Sequence, residues 1–182
     1  MSWSRRRLLG AAGMLAGASA AGVLKSVAAE HTGGSRRIRL ENRHTLESLD
    51  IVYRDGGDYL PGAMLKIQRL LRDHRTGMEH PIDPALMDYL CDAAQLMGVD
   101  PVFTVISGYR SPRTNDMLPE RSSALASRSL HVQGRAMDVQ LAGVDCADLA
   151  EHALSLRRGG LGYYKTSDFV HLDTGRFRTW RG

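Results

Sequence analysis

The chain has 182 residues, with 24 Lys plus Arg against 20 Asp plus Glu and a calculated pI near 9.3. The positive excess is confined to the start: the first 29 residues hold Arg5, Arg6, Arg7 and Lys25 and no acid, which leaves 20 basic and 20 acidic residues beyond them. That balance gives no support for a nucleic-acid partner, and the remaining length suits one domain with a single core.

Ser4-Arg5-Arg6-Arg7-Leu8-Leu9 is a twin-arginine pattern, and an apolar stretch rich in Ala and Gly follows it to about Leu24. The stretch is too short and too glycine-rich for a membrane span, and Val27-Ala28-Ala29 supplies the small residues that a signal peptidase reads. Residues 1–29 are therefore expected to be a twin-arginine signal peptide cleaved after Ala29, delivering the chain to the periplasm or otherwise out of the cytoplasm. Residues 30–37 are polar and read as a flexible leader, and the folded domain is expected to span 38–182.

Residues 38–40 and 46–53 read as two strands of an early hairpin, the second ending at the turn Asp55-Gly56-Gly57-Asp58. From Pro61 to about Arg75, Met64, Ile67, Leu70 and Leu71 fall at helical spacing. Asp83-Pro84 is a cap followed by proline at the first helical position, opening a second helix that runs to Gly98. Cys91 falls within its apolar spacing and reads as a small core residue. With Cys146 it makes the only cysteine pair; export would permit a disulfide, but the core placement favours two separate thiols, and the spacing is not that of a zinc pair.

Residues 102–106 are β-branched and aromatic and read as a strand, with Arg110 in the turn Ser107-Gly108-Tyr109-Arg110-Ser111-Pro112 that ends it. A loop rich in serine and charge covers 118–128. Residues 136–141 form a further strand, and 145–156 a helix with Leu149, Ala153 and Leu156 on one face, stopped by Gly159-Gly160. Residues 161–164, 169–173 and 177–180 close the chain as three short strands. The whole is one α+β domain with a small, mostly antiparallel sheet and flanking helices.

The segment Ser129-Leu130-His131-Val132-Gln133-Gly134-Arg135-Ala136-Met137-Asp138 sets an imidazole and a carboxylate seven positions apart across a glycine. His171 adds a second imidazole, so a set of two histidines and one carboxylate is available, which leaves zinc an open coordination position. Hydrolysis also needs a group to move protons. Asp168 and Asp173 compete for that role: on an ideal strand Asp173 shares a face with His171, whereas Asp168 needs a bend through Thr166-Ser167. Asp173 equally suits fixing the tautomer of His171. Arg110 can stabilise an oxyanion or grip a carboxylate, or else form a surface ion pair. His31, His44, His74, His80 and His152 have no such partners in sequence.

These motifs resemble the zinc D,D-peptidases of bacterial cell-wall metabolism, the family of D-alanyl-D-alanine carboxypeptidases and dipeptidases, and within it the exported murein endopeptidase branch. Ser129-x-His131-x-x-Gly134-x-Ala136-x-Asp138 looks like the first metal signature, Ser107-Gly108-Tyr109-Arg110-Ser111 like the arginine segment, and Gly162-Tyr163-Tyr164 through Asp173 like the closing strand. The resemblance implies a hedgehog/D,D-peptidase-like fold and zinc held by His131, Asp138 and His171. It also implies Asp168 as catalytic base, with Asp173 as the alternative, Arg110 as transition-state stabiliser and Ser129 as a substrate-binding residue. The implied partners are a peptidoglycan peptide as substrate and the twin-arginine export machinery, with the protein working as a monomer. Carboxypeptidase, dipeptidase and cross-link endopeptidase action remain open, as does a catalytically inactive metal-bound module that binds cell-wall peptide.

Overall fold

The computed structural model describes residues 34–117 and 129–182. The expected signal peptide, its expected cleavage point and the 118–128 loop lie outside the described residues. The described chain builds an eight-stranded sheet: β1 Arg36–Asn42, β2 Ser48–Asp55, β3 Asp58–Tyr59, β4 Val102–Ser107, β5 Ala136–Leu141, β6 Gly160–Tyr164, β7 Phe169–Asp173 and β8 Arg178–Arg181. The strand order is β3-β2-β1-β4-β5-β7-β6-β8, antiparallel throughout except for the β1–β4 and β6–β8 pairs. Four helices among the described residues accompany it: α1 Pro61–Leu70, α2 Pro84–Leu96, α3 Pro112–Asp116 and α4 Cys146–Leu156, and Leu130–Gln133 forms a 3-10 turn. The fold is thus the expected α+β class. No helix among the described residues is long and apolar enough to cross a membrane.

Strand alternation decides where the site can lie. Ile38 and Leu40, Phe103 and Val105, Met137, Val139 and Leu141, and Val170 and Leu172 are all buried, and they form one core with Ile67, Leu86, Leu90 and Leu149 of the helices. Each such side chain contributes about 1.5–3 kcal/mol when fully buried. Since neighbours along a strand face opposite ways, Asp138 and His171, set between core residues, face the side of the sheet away from that core. A slip of one residue would turn the core residues outward, so the packing of Met137 and Val139 fixes the register of Asp138.

Several boundaries differ from the sequence expectation for local reasons. β1 begins at Arg36, ahead of Ile38, because Arg36 bonds to Asp88 and Asp92 of α2. β2 begins at Ser48; Leu46, at φ 57, belongs to the preceding turn. α1 stops at Leu70, and Asp73 then accepts from the amides of Arg75 and Thr76, holding a turn where more helix was expected. The five-residue α3, capped by Ser111 at the amide of Thr114, is too short to leave a periodic signal. α4 is closed by Arg157 in the left-handed region, not by the two glycines after it. Cys91 and Cys146 are buried, free thiols.

Candidate metal centre

Five strands contribute to one line of residues across the open face of the sheet. In the cross-strand register Ser107 opposes Asp138, Asp138 opposes His171, His171 opposes Gly162, and Gly162 opposes Trp180. The register slips between Val105 and Ser107, and this bulge sets Ser107 beside Asp138. His131 reaches the same place from the 3-10 turn. Gly134 closes that turn at φ 65, and a Cβ there would also collide with the carbonyl of Pro81, so glycine is required on both counts.

Three ligand-type atoms converge. His131 Nε2 lies 3.2 Å from His171 Nδ1 and 3.3 Å from Asp138 Oδ1, and His171 Nδ1 lies 2.8 Å from the same oxygen. The outer partners fix what these atoms carry. His131 Nδ1 lies 2.8 Å from the carbonyl oxygen of Gly108, which can only accept, so Nδ1 bears the hydrogen and Nε2 presents a lone pair. His171 lies between two carboxylates, its Nε2 3.0 Å from Asp173 Oδ2 and its Nδ1 2.8 Å from Asp138 Oδ1; a ring with its hydrogen on Nε2, bonded to Asp173, presents the Nδ1 lone pair. With His171 in that tautomer, two imidazole lone pairs and a carboxylate oxygen face one another. All three residues are buried. Such a set is repulsive unless a cation lies at its centre, and ligand separations near 3 Å suit a small ion with arms of about 2.0–2.2 Å. The donor set fits a divalent metal.

The electrostatics divide the two imidazoles. Burial, reinforced by the Arg110 charge, lowers His131 to about 4, leaving it a neutral ligand. Asp138 is buried, which alone would raise it, yet the two imidazoles hold it well below the usual carboxylate range. His171 is raised despite its burial, because it lies between Asp138 and Asp173.

Arg110 joins this group. Its Nε donates to Ser107 Oγ at 2.7 Å and a terminal nitrogen donates to Asp138 Oδ2, the oxygen that does not face the histidines. Asp173 stands behind His171, fully buried. It takes hydrogen bonds from the amides of Gly160 and Gly175 and from both terminal nitrogens of Arg178. Ser129 begins the 3-10 turn two residues before His131 and is 9% exposed. Asp168 stands apart. It lies on an exposed turn at φ 51, where Gln140 donates to both its carbonyl and its Oδ2, the latter at 3.0 Å.

Sequence reasoning missed several supports. Asp73 takes the amide and hydroxyl of Ser111 at 2.9 and 2.6 Å, fixing the segment that carries Arg110. Gly160 and Gly162 face the site on β6: a Cβ on the first would collide with Arg178 and Asp173, and on the second with the indole of Trp180. Their readable signal is the alternation Gly-x-Gly inside a strand, where glycine marks close approach of another group.

The family model described as peptidoglycan L,D-endopeptidase MepK matches residues 30–180. The peptidoglycan L,D-endopeptidase MepK of Escherichia coli K12 is 38% identical over 177 residues, which cover 97% of this chain and 97% of that protein. A probable peptidoglycan L,D-endopeptidase MepK of Haemophilus influenzae Rd is 38% identical over 148 residues, covering 81% of this chain and 80% of that one. No solved structure matches the chain significantly.

Proposed function

The chain belongs to the peptidoglycan L,D-endopeptidase family of M15 peptidases, and from that membership we propose that it is a zinc enzyme whose metal is held by His131, Asp138 and His171. As a member it is a metallopeptidase that hydrolyses peptide bonds of murein. The observation that carries the zinc assignment is the convergence of two imidazole nitrogens and a carboxylate oxygen, all from buried residues, within 4.8 Å of one another. Zinc bound there would supply a Lewis acid for the scissile carbonyl and an activated water at neutral pH. The relatives' name points to a bond between an L and a D centre, and we take a cross-link of that kind as the bond cut.

The protein's own groups divide the remaining work. Arg110, held by Ser107 and Asp138, is a fixed positive charge beside the ligands, suited to the negative charge that grows on the carbonyl oxygen. Ser129 contributes a hydroxyl to substrate binding. Asp173 has every lone-pair direction engaged and no exposure, which suits holding the His171 ring and unsuits it to exchanging protons with water. Asp168 is exposed and carries the proton between water and the leaving amine; its contact Gln140 lies two residues from Asp138 on the same face of β5. Residues 1–29 direct export through the twin-arginine route to the periplasm, where such a substrate lies.

Digestion of isolated sacculi tests this reading, with products identified by mass spectrometry. Wild type releases fragments with a new free carboxylate at an L–D bond, and His131→Ala releases none. Equal release by both proteins would sink it.

A further inference from the structure

Beside the ligands, the open face of the sheet is aromatic. Trp180 is half-buried on β8, and because Gly162 has no side chain its indole lies across β6, with its ring centre 5.1 Å from that of His171. The indole N–H donates to Tyr164 Oη at 3.0 Å, and the Tyr164 ring stacks on Phe169 with centroids 4.5 Å apart. Tyr164 and Phe169 are also half-buried. This leaves a continuous aromatic wall on the β8 side of the ligands, opposite the cationic side formed by Arg110.

We propose that Trp180, backed by Tyr164 and Phe169, is a specificity-determining subsite that receives the uncharged, aliphatic part of the residue flanking the scissile amide. The inference rests on the endopeptidase reading above and deepens it. Distance selects the occupant. One extended residue spans about 3.3–3.6 Å, so a group resting on an indole centred 5.1 Å from His171 is within about one or two residues of a bond held at the ligands. That places a peptide side chain there and not a sugar, which joins the stem at its far end. Charge narrows it further. The guanidinium of Arg178 already lies 5.0 Å from the indole centre, so a second cation would meet like charge, whereas a methylene chain gains apolar contact at no such cost. The indole is held by its N–H and lies on backbone, so little side-chain entropy remains to be lost on binding.

The chain has two tryptophans, Trp3 and Trp180, so the full chain carrying Trp3→Phe reports on Trp180 alone. Its initial emission should shift when a sugar-free, cross-linked stem peptide is added and stay constant with peptide-free glycan. Trp180→Ala should raise KM for the same peptide at least fivefold, with kcat within twofold and metal content unchanged, and Trp180→Phe should restore KM. A shift with glycan alone, or a fall in kcat with lost metal at constant KM, would overturn the subsite and leave Trp180 as support for His171. No shift with either ligand while wild type still digests sacculi would also overturn it. Failure of wild type to digest sacculi would instead remove the endopeptidase reading itself.

Discussion

Arg178 reaches Asp173 by lying across Gly160, and it bonds the carboxylate at 3.0 and 2.6 Å from its two terminal nitrogens. The pair is what orients His171, since the same carboxylate oxygen that takes the shorter bond also faces His171 Nε2. Support for His171 therefore runs through a position that has no side chain.

Gly160→Ala places a methyl group where Arg178 and Asp173 meet. Overpacking of this kind costs about 1–3 kcal/mol. The expected result is a Tm lowered by several degrees and reduced metal content, read by calorimetry and elemental analysis. An unchanged Tm and full metal loading would show that the crossing is dispensable.

Asp173→Asn keeps the shape behind His171 but removes the charge that favours hydrogen on Nε2. Loss of such an outer partner typically costs about 10–100-fold in metal affinity or activity. A chelator competition should show the variant giving up its metal at a correspondingly lower chelator concentration, while its fold, read by circular dichroism, persists.

Asp168→Asn tests the proposed proton transfer apart from metal binding. Removal of a general base lowers kcat by about 10²–10⁴-fold, and the metal content should equal that of wild type because Asp168 touches none of the three ligands. A rate close to wild type would move the proton transfer elsewhere.

Asp73 is a test in pH. Burial alone would raise it, but the hydroxyl and amide of Ser111 and the amide of Arg75 hold it well below the usual carboxylate range. A group depressed in the folded state stabilises fully above its unfolded value, about 3.9, and that contribution is lost as pH falls below it. Asp73→Asn should be less stable than wild type by about 1–3 kcal/mol at pH 7, and the gap should close as denaturation is repeated toward pH 2. A gap independent of pH would assign the effect to packing alone.

The two thiols should be unreactive in the folded protein. Burial pushes Cys91 up to about 11, and burial together with a bond to Asp168 pushes Cys146 up to about 12, so neither presents thiolate near neutral pH. A thiol-titrating dye should count none in native protein and two after unfolding without reductant. A count of none in the unfolded chain would mean that they pair.

The elements with strong periodicity were legible in the sequence. β5 falls at residues 136–141 as expected, and the cap at Asp83 opens α2 where proline at the first position placed it. The glycine between His131 and Asp138 marked a turn in the sequence, and Gly134 makes that turn at φ 65. What escaped was set by contacts distant in sequence. Nothing near Asp73 announces that it holds Ser111, 38 residues on, and Gly159-Gly160 looks like a helix stop until Asp173 and Arg178 are seen to fill the space a side chain would take. The two candidate carboxylates illustrate the same limit: strand alternation placed Asp173 with His171, but only the Gly160, Gly175 and Arg178 contacts reveal how completely it is occupied.

The line from Ser107 through Asp138, His171 and Gly162 to Trp180 ties the chemistry to strand pairing. If β7 slipped by one residue, Val170 or Leu172 would stand where His171 does, and the lone pairs could no longer converge. Under the proposed metal assignment, a mispaired chain is also a chain that cannot capture metal. Since an ion that binds only the native form draws the population toward it, metal uptake at the proposed site would act as a proofreading step on the assembly of the sheet.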